Sequence, residues 1–239
     1  MERQALITGA NSNIGIALCK QYLASGCRVL AHYHNDNSKF QTLRKEAGAA
    51  LVPIQKDFSA KDAVEEMIAS DQEQILKSDI FVHLAAIRED IVFSDIDGEA
   101  LMRHFTVNLF PAILFMRSLG PRMAERGWGR IVMGGSVGVK FGGGGSSYCY
   151  SISKHALEFM PAIHKKWAAS NVFINTVQIG ITDTKIYSEK DRHSLPERIA
   201  LIPAKRSATP TEMARTIHWL GSAQNSFMTG QVVTAAGGE

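Results

Sequence analysis

Ala5-Leu6-Ile7-Thr8-Gly9-Ala10-Asn11-Ser12-Asn13-Ile14-Gly15 is the stretch on which the fold turns. An apolar run reads as a buried strand, a turn of Gly, Asn and Ser follows, and a helical period begins near Ile14. Gly9 and Gly15 allow a tight turn and close backbone approach, while the helix N-terminus offers unpaired N–H groups. A strand that feeds directly into such a terminus suits a pyrophosphate. Two glycines also fit an ordinary strand-to-helix turn, but the place of these two, at the first such junction, favours a nucleotide. Gly9, Asn11, Ser12, Asn13, Ile14 and Gly15 are therefore candidate binding residues.

Outward from this junction, short apolar runs at 5–8, 29–33, 50–54, 80–84, 130–133, 173–177 and 231–235 predict seven strands. Helical periods lie between them, near 14–26, 38–47, 60–77, 99–125, 148–169 and 210–222. Strand and helix alternate, so the crossovers are right-handed and the sheet parallel. The expected fold class is α/β, a doubly wound Rossmann-type seven-stranded sheet with helices on both faces. Nothing resembles an interdomain linker, so residues 1–239 are expected to form a single domain. Segment 183–205 is charged and weakly periodic, carries Pro196 and Pro203, and is long for a connection, which marks it as a candidate lid.

Bulk properties narrow the function. The 239 residues are 45% hydrophobic, and 26 Lys and Arg against 23 Asp and Glu give a net charge of +3. No basic run interleaves with aromatics, so nucleic acid is not an expected partner. Cys19, Cys27 and Cys149 lack metal-ligand or redox-pair spacing, which points to a reducing compartment and to no metal. The first strand begins almost at Met1, leaving no room for a signal peptide, and no apolar stretch reaches the roughly 18 residues of a membrane span. A cytoplasmic enzyme of small-molecule chemistry, off the membrane, is the expectation.

The second strand ends at Tyr33-His34-Asn35, where an acidic residue would bind both ribose hydroxyls of NAD. None stands there. A 2′-phosphate is tolerated, with His34, Ser38 or Lys39 to meet it, so NADPH is preferred over NADH. His34 also fits an exposed loop. Asp57 closes the third strand and either accepts from an adenine amino group or caps a helix beginning near Lys61.

In Tyr150-Ser151-Ile152-Ser153-Lys154 the Tyr and Lys are four apart, hence on one helix face. A neighbouring ammonium stabilises phenolate, which suits a group passing protons near neutral pH. Such a pair also arises by chance on solvated helices, so its company matters. Ser136 follows the fifth strand, where a hydroxyl can steady a substrate oxygen or simply close a turn. Pro111 cannot donate to the carbonyl of Val107, so the long helix should kink beside Asn108. A buried amide there either relays protons through a water towards Lys154 or satisfies the broken turn.

Together these residues resemble the short-chain dehydrogenase/reductase family along essentially the whole chain. Thr8–Gly15 is similar to its TGxxxGxG loop, Asp57 to its adenine-contacting Asp, and Asn108, Ser136, Tyr150 and Lys154 to its catalytic Asn-Ser-Tyr-Lys set. The resemblance adds Phe58, Ala85, Gly180, Thr182 and Thr184 to the cofactor-binding residues Tyr33, His34 and Asp57. Thr184 stands where a Thr contacts the nicotinamide carboxamide, and Tyr150 and Lys154 belong to the cofactor set as well. Departures cluster here. Asn13 replaces the middle glycine, at a place expected to need positive φ; His83-Leu84-Ala85-Ala86 replaces Asn-Asn-Ala-Gly; Ile179 replaces a Pro.

Within the family, the chain looks most like 3-oxoacyl-acyl-carrier-protein reductases. That implies NAD(P)H-dependent reduction of a carbonyl on a small molecule or an acyl carrier protein. Arg126, Arg130, Lys165 and Lys166 are expected near the site mouth to meet an acidic carrier. Helices 99–125 and 148–169 are expected to pair in a homotetramer or homodimer. An alcohol, steroid or sugar dehydrogenase would use the same four residues. The departures leave room for an inactive cofactor-binding scaffold or for a subunit that needs a partner.

Overall fold

The computed structural model describes residues 2–184, 186 and 189–239, without the side chains of 189–193. Seven parallel strands form one sheet: β1 (Gln4–Thr8), β2 (Arg28–Tyr33), β3 (Leu51–Gln55), β4 (Ile80–His83), β5 (Gly129–Ser136), β6 (Val172–Ile179) and β7 (Gln231–Ala235). Their order is β3-β2-β1-β4-β5-β6-β7, so the sheet grows one way from β1 to β3 and the other way from β4 to β7. The reversal between β1 and β4 is where such sheets open a crevice at their carboxyl edge.

Alternation builds the two layers. Leu6, Leu30, Phe81, Ile131 and Ile174 face one side, with Phe115 and Leu119. On the same strands Ile7, Val29, Val82, Val132 and Val177 face the other, with Leu18, Tyr22 and Ile217. The helices are α1 (Asn13–Ala24), α2 (Ser38–Ala47), α3 (Ala63–Ser70), α4 (Gln72–Leu76), α5 (Gly98–Asn108), α6 (Phe110–Glu125), α7 (Tyr148–Ala156), α8 (His164–Ala168), α9 (Glu189–Leu201) and α10 (Pro210–Leu220). Among the described residues no helix is long and apolar enough to cross a membrane.

Several boundaries differ from expectation for local reasons. The expected helix 60–77 is two, α3 and α4. The kink beside Asn108 is a full break at Leu109 between α5 and α6, with Pro111 in the first turn of α6. The expected helix 148–169 also breaks. Leu157, Glu158 and Phe159 donate to the carbonyls of Lys154, His155 and Ala156, tightening the last turn of α7, and Pro161 cannot carry the ladder onward. β5 runs on through Gly134-Gly135, where side chains are excluded: a Cβ would lie 2.8 Å from Leu84 Cδ2 at the first and 2.9 Å from Thr176 Cγ2 at the second. Segment 183–205, the candidate lid, is not a bare loop but carries α9, with Pro196 inside it. Lys185, Tyr187 and Ser188 of that segment lie outside the described residues.

Candidate active site

The turn after β1 is shaped by backbone crowding. Gly9 has φ +66°, and a Cβ there would sit 2.8 Å from Ala85 N, on the loop after β4. At Gly15 a Cβ would fall 2.3 Å from the Gly9 carbonyl oxygen. Ser12 caps α1, its hydroxyl accepting from Gly15 N–H at 3.0 Å and its carbonyl from Ile16 N–H at 2.8 Å. That leaves the N–H groups of Asn13 and Ile14, both in the wall of the main cleft, for a phosphate oxygen. Asn13 is the first helical residue and has no positive φ, so its substitution for glycine carries no backbone strain. The loop thus fits a dinucleotide pyrophosphate.

At the ribose end, the first carboxylate after β2 is Asp36. It is held by Arg44 at 3.0 Å, by Gln41 and by the N–H of Asn37. Asn37 caps α2 and lines the cleft. His34, Ser38 and Lys39 are exposed beside it. Asp57 does not cap a helix, since α3 begins only at Ala63; its carboxylate accepts from the N–H and hydroxyl of Ser59 at 2.9 and 2.8 Å and lies 3.5 Å from His34 Nε2. The Ser59 bonds, ahead of the nearby histidines, hold its pKa below the ordinary carboxylate value. Tyr33 and Phe58 are core residues: Tyr33 packs on Phe40, and Phe58 stacks on His32 with ring centroids 3.8 Å apart. Neither is among the residues that line the main cleft.

On the catalytic side, Ser136, Tyr150 and Lys154 line the same cleft, whose volume is about 1080 Å3. Ligand pockets commonly hold a few hundred to 1000 Å3, so there is space for a cofactor and a second molecule. Ser136 accepts from Gly138 N–H at 3.1 Å, which leaves its own proton to donate. Lys154 is buried; its Nζ donates to the Gly134 carbonyl at 2.7 Å and lies 5.9 Å from the centre of the Tyr150 ring. Burial lowers its pKa to about 7.

Asn108 is fully buried at the α5–α6 break, and its side-chain amide, the expected relay, is bonded within the protein. Both hydrogens of its Nδ2 are used, on the Ile87 carbonyl at 3.0 Å and on Ser153 Oγ at 2.9 Å, and its Oδ1 accepts from Ile87 N–H at 2.8 Å. Ser153 donates in turn to the Tyr150 carbonyl at 2.7 Å. The amide therefore pins the first turn of α7, which carries Tyr150. His83, which stands in place of the Asn, meets Thr8 and the Asn108 carbonyl. Ile179 ends β6 in register with Ser136 and Ala235.

Gly180, Thr182 and Thr184 lie in the cleft wall beyond β6; Thr182 donates to the Gly180 carbonyl at 2.9 Å. Ala85 is buried behind the loop at Gly9. Sequence reasoning missed Arg88, Phe141 and Arg198, which also line the cleft. Arg88 is signalled by its place just past β4 at the carboxyl edge, and it pairs with Asp90 at 3.1 Å. The four basic residues expected at the mouth lie elsewhere. Arg126 precedes β5 and Arg130 is the second residue of that strand, while Lys165 and Lys166, on α8, precede the amino end of β6. All four therefore sit at the edge of the sheet opposite the cleft.

A family model described as Enoyl-(Acyl carrier protein) reductase matches residues 9–239. The chain belongs to the short-chain dehydrogenase/reductase family. Among its relatives in this family, an acetoacetyl-CoA reductase of Rhizobium meliloti (strain 1021) is 30% identical over 241 residues, covering 100% of this chain and 99% of its own. A 3-oxoacyl-[acyl-carrier-protein] reductase of Mycobacterium bovis is 26% identical, with 100% and 93% covered. A crystal structure of a 3-oxoacyl (acyl-carrier-protein) reductase from Agrobacterium tumefaciens C58 with NADP bound superposes with a TM-score of 0.87 at 26% identity, over 99% of this chain and 94% of that one. The short-chain dehydrogenase/reductase match makes the chain an oxidoreductase that uses a nicotinamide cofactor.

Proposed function

We propose that this chain is an NADPH-dependent ketoreductase that converts a 3-oxoacyl thioester to the 3-hydroxyacyl form. One observation carries the reading: Ser136, Tyr150 and Lys154 share a single cleft with the N-terminus of α1, where the N–H groups of Asn13 and Ile14 remain for a phosphate. When bound there, with Asn13 and Ile14 at its pyrophosphate, NADPH supplies a hydride for the ketone carbon. Ser136 donates its free hydroxyl proton to the ketone oxygen and orients it. Tyr150 gives that oxygen its proton, and the nearby Lys154 ammonium stabilises the phenolate left behind. With a pKa near neutrality, Lys154 is also suited to return a proton to Tyr150. Asn108 acts on Tyr150 through Ser153, as an orienting group.

NADPH is favoured over NADH because Asp36 is already committed to Arg44 and Gln41, while His34, Ser38 and Lys39 stand exposed for a 2′-phosphate. The likeness to the NADP-bound reductase of Agrobacterium tumefaciens supports this. Segment 183–205 acts as the lid, with Ile186 and Leu201 giving an acyl chain apolar wall. The thioester carrier is coenzyme A or an acyl carrier protein, in keeping with the names of the relatives. Exposed Phe110, Ile113, Phe159 and Ile163 support self-association into a dimer or tetramer, and three unpaired cysteines support a cytoplasmic location.

The test is oxidation of NADPH and NADH with acetoacetyl-CoA and with a 3-oxoacyl-acyl carrier protein, for the wild type and Tyr150→Phe. Turnover with NADPH that falls by at least about 100-fold in Tyr150→Phe is expected. If neither cofactor binds nor turns over, the reading fails.

A further inference from the structure

His83 is fully buried in β4 and is the register partner of Thr8 in β1. Its Nδ1 lies 2.9 Å from Thr8 Oγ1, and its Nε2 lies 2.9 Å from the backbone carbonyl oxygen of Asn108. A carbonyl only accepts, so Nε2 carries the proton and Nδ1 is the acceptor for the Thr8 hydroxyl. Thr8 Oγ1 in turn accepts from the N–H groups of Leu84 and Ala85, at 3.1 and 3.3 Å. The imidazole thereby has one end on the start of the Gly9 turn and the other on the α5–α6 break. That turn leads to the pyrophosphate site. From the break, the Asn108 side chain reaches Ser153, and through it Tyr150.

We propose that His83 is a positioning residue that couples the two halves of the cleft, its Nδ1 end fixing the cofactor turn and its Nε2 end fixing the helix break behind Tyr150. The inference rests on the ketoreductase reading for its kinetic arm only. The two ends are separable by side-chain reach. Asparagine places its amide oxygen where Nδ1 stands and has nothing at the ε position, so His83→Asn keeps Thr8 and releases Asn108. Glutamine places a donor at the ε position and no acceptor at the δ position, so His83→Gln keeps Asn108 and releases Thr8.

Losing one of these hydrogen bonds should read as roughly a tenfold change, about 1.4 kcal/mol. His83→Gln is expected to weaken NADPH binding about tenfold, measured by the change in nicotinamide fluorescence, with kcat falling less than the affinity. His83→Asn is expected to bind NADPH within about twofold of the wild type, to lower kcat for acetoacetyl-CoA about tenfold, and to shift the pH profile of kcat. Thermal melting verifies that both variants are folded. In the wild type, nitrogen-15 NMR of the imidazole is expected to report a neutral ring protonated on Nε2.

A ring protonated on Nδ1 or on both nitrogens would overturn the proposal. So would two variants that lose affinity and kcat in parallel, or that match the wild type in both. Should the wild type bind NADPH but not reduce the thioester, the substrate reading falls. The coupling is then decided by the tautomer and by whether Gln, but not Asn, weakens cofactor binding.

Discussion

Arg130 enters the sheet at its amino edge and Lys154 packs against its carboxyl edge; both are nearly inaccessible, at 2% and 3% exposed. Arg130 spends all five of its N–H donors: Nε and Nη2 on the Asn225 carbonyl, Nη1 on the Gly129 and Asn171 carbonyls, and Nη2 on Asn171 Oδ1. Its guanidinium also stacks between Trp128 and Phe173, with ring centres 4.5 and 4.2 Å away. Lys154 has three donors and holds the Gly134 carbonyl with one of them, at the wall of an open cleft. Burial lowers both pKa values, that of Arg130 to about 10 and that of Lys154 to about 7. A cation satisfied at every donor stays charged and ties the structure together, whereas one left short of acceptors is close to giving up its proton and is available for chemistry.

Exchanging each cation for methionine should separate these roles. Lys154→Met is expected to lower kcat by at least about 100-fold, the usual worth of a proton-transfer group, without lowering the melting temperature, because a buried ammonium is removed. Arg130→Met is expected to do the reverse. Stranding the buried Asn225 carbonyl should cost about 1–3 kcal/mol, or roughly 5 °C in melting temperature, while kcat per folded molecule stays within about twofold. A large stability loss in Lys154→Met, or a large kcat loss in folded Arg130→Met, would break the contrast.

The carboxyl edge was the legible half of this comparison. Gly9 and Gly15 declare themselves because only glycine fits where backbones come within 3 Å of a would-be Cβ, and Tyr150 with Lys154 is a local spacing on one helix. Charge alone carries no such address. Arg130 reads in sequence as one more surface base near the site, though its place at the start of a parallel strand assigns it to the far edge. Periodicity also failed where side chains are missing or the donor is lost. Gly134-Gly135 looks like a turn yet continues β5, and Pro161 ends a helix whose apolar spacing runs on. Asn13 was expected to need a left-handed backbone, but the turn spends its positive φ at Gly9, one turn earlier.

Protonation offers a smaller and reversible form of the same test. The Lys154 pKa falls from 10.5 to about 7 on folding, so between those values the unfolded chain holds a proton that the folded chain has released. Stability from this site therefore rises with pH across that window. Lys154→Met should exceed the wild type in melting temperature most below pH 7, and the gap should close towards pH 10. The buried histidines act lower on the scale with the same sign. Burial lowers His32 to about 4 and His83 to about 3, from 6.5, so stability is present above pH 6.5 and is lost as pH falls through the window below it. A melting temperature flat from pH 6.5 to 4.5 would contradict the neutral buried imidazoles.

The smallest effect belongs to a cation that is not buried. Arg206 is exposed and meets both carboxylate oxygens of Glu212, at 2.6 and 2.9 Å, while Glu212 also closes the capping box with Thr209 at the start of α10. Arg206 and Thr209 together pull the Glu212 carboxyl down to about 2. Because water screens the ion pair and the arginine gives up rotamer freedom to hold it, Arg206→Ala should move the melting temperature by no more than about 1–2 °C, and less in high salt. Thr209→Ala, which unmakes the cap, should cost more, about 1 kcal/mol. If the order of these two were reversed, exposed ion pairs would be stabilising this chain on a scale with its helix caps. The difference between Arg130 and Lys154 would then have to be sought in charge itself rather than in how completely each charge is hydrogen-bonded.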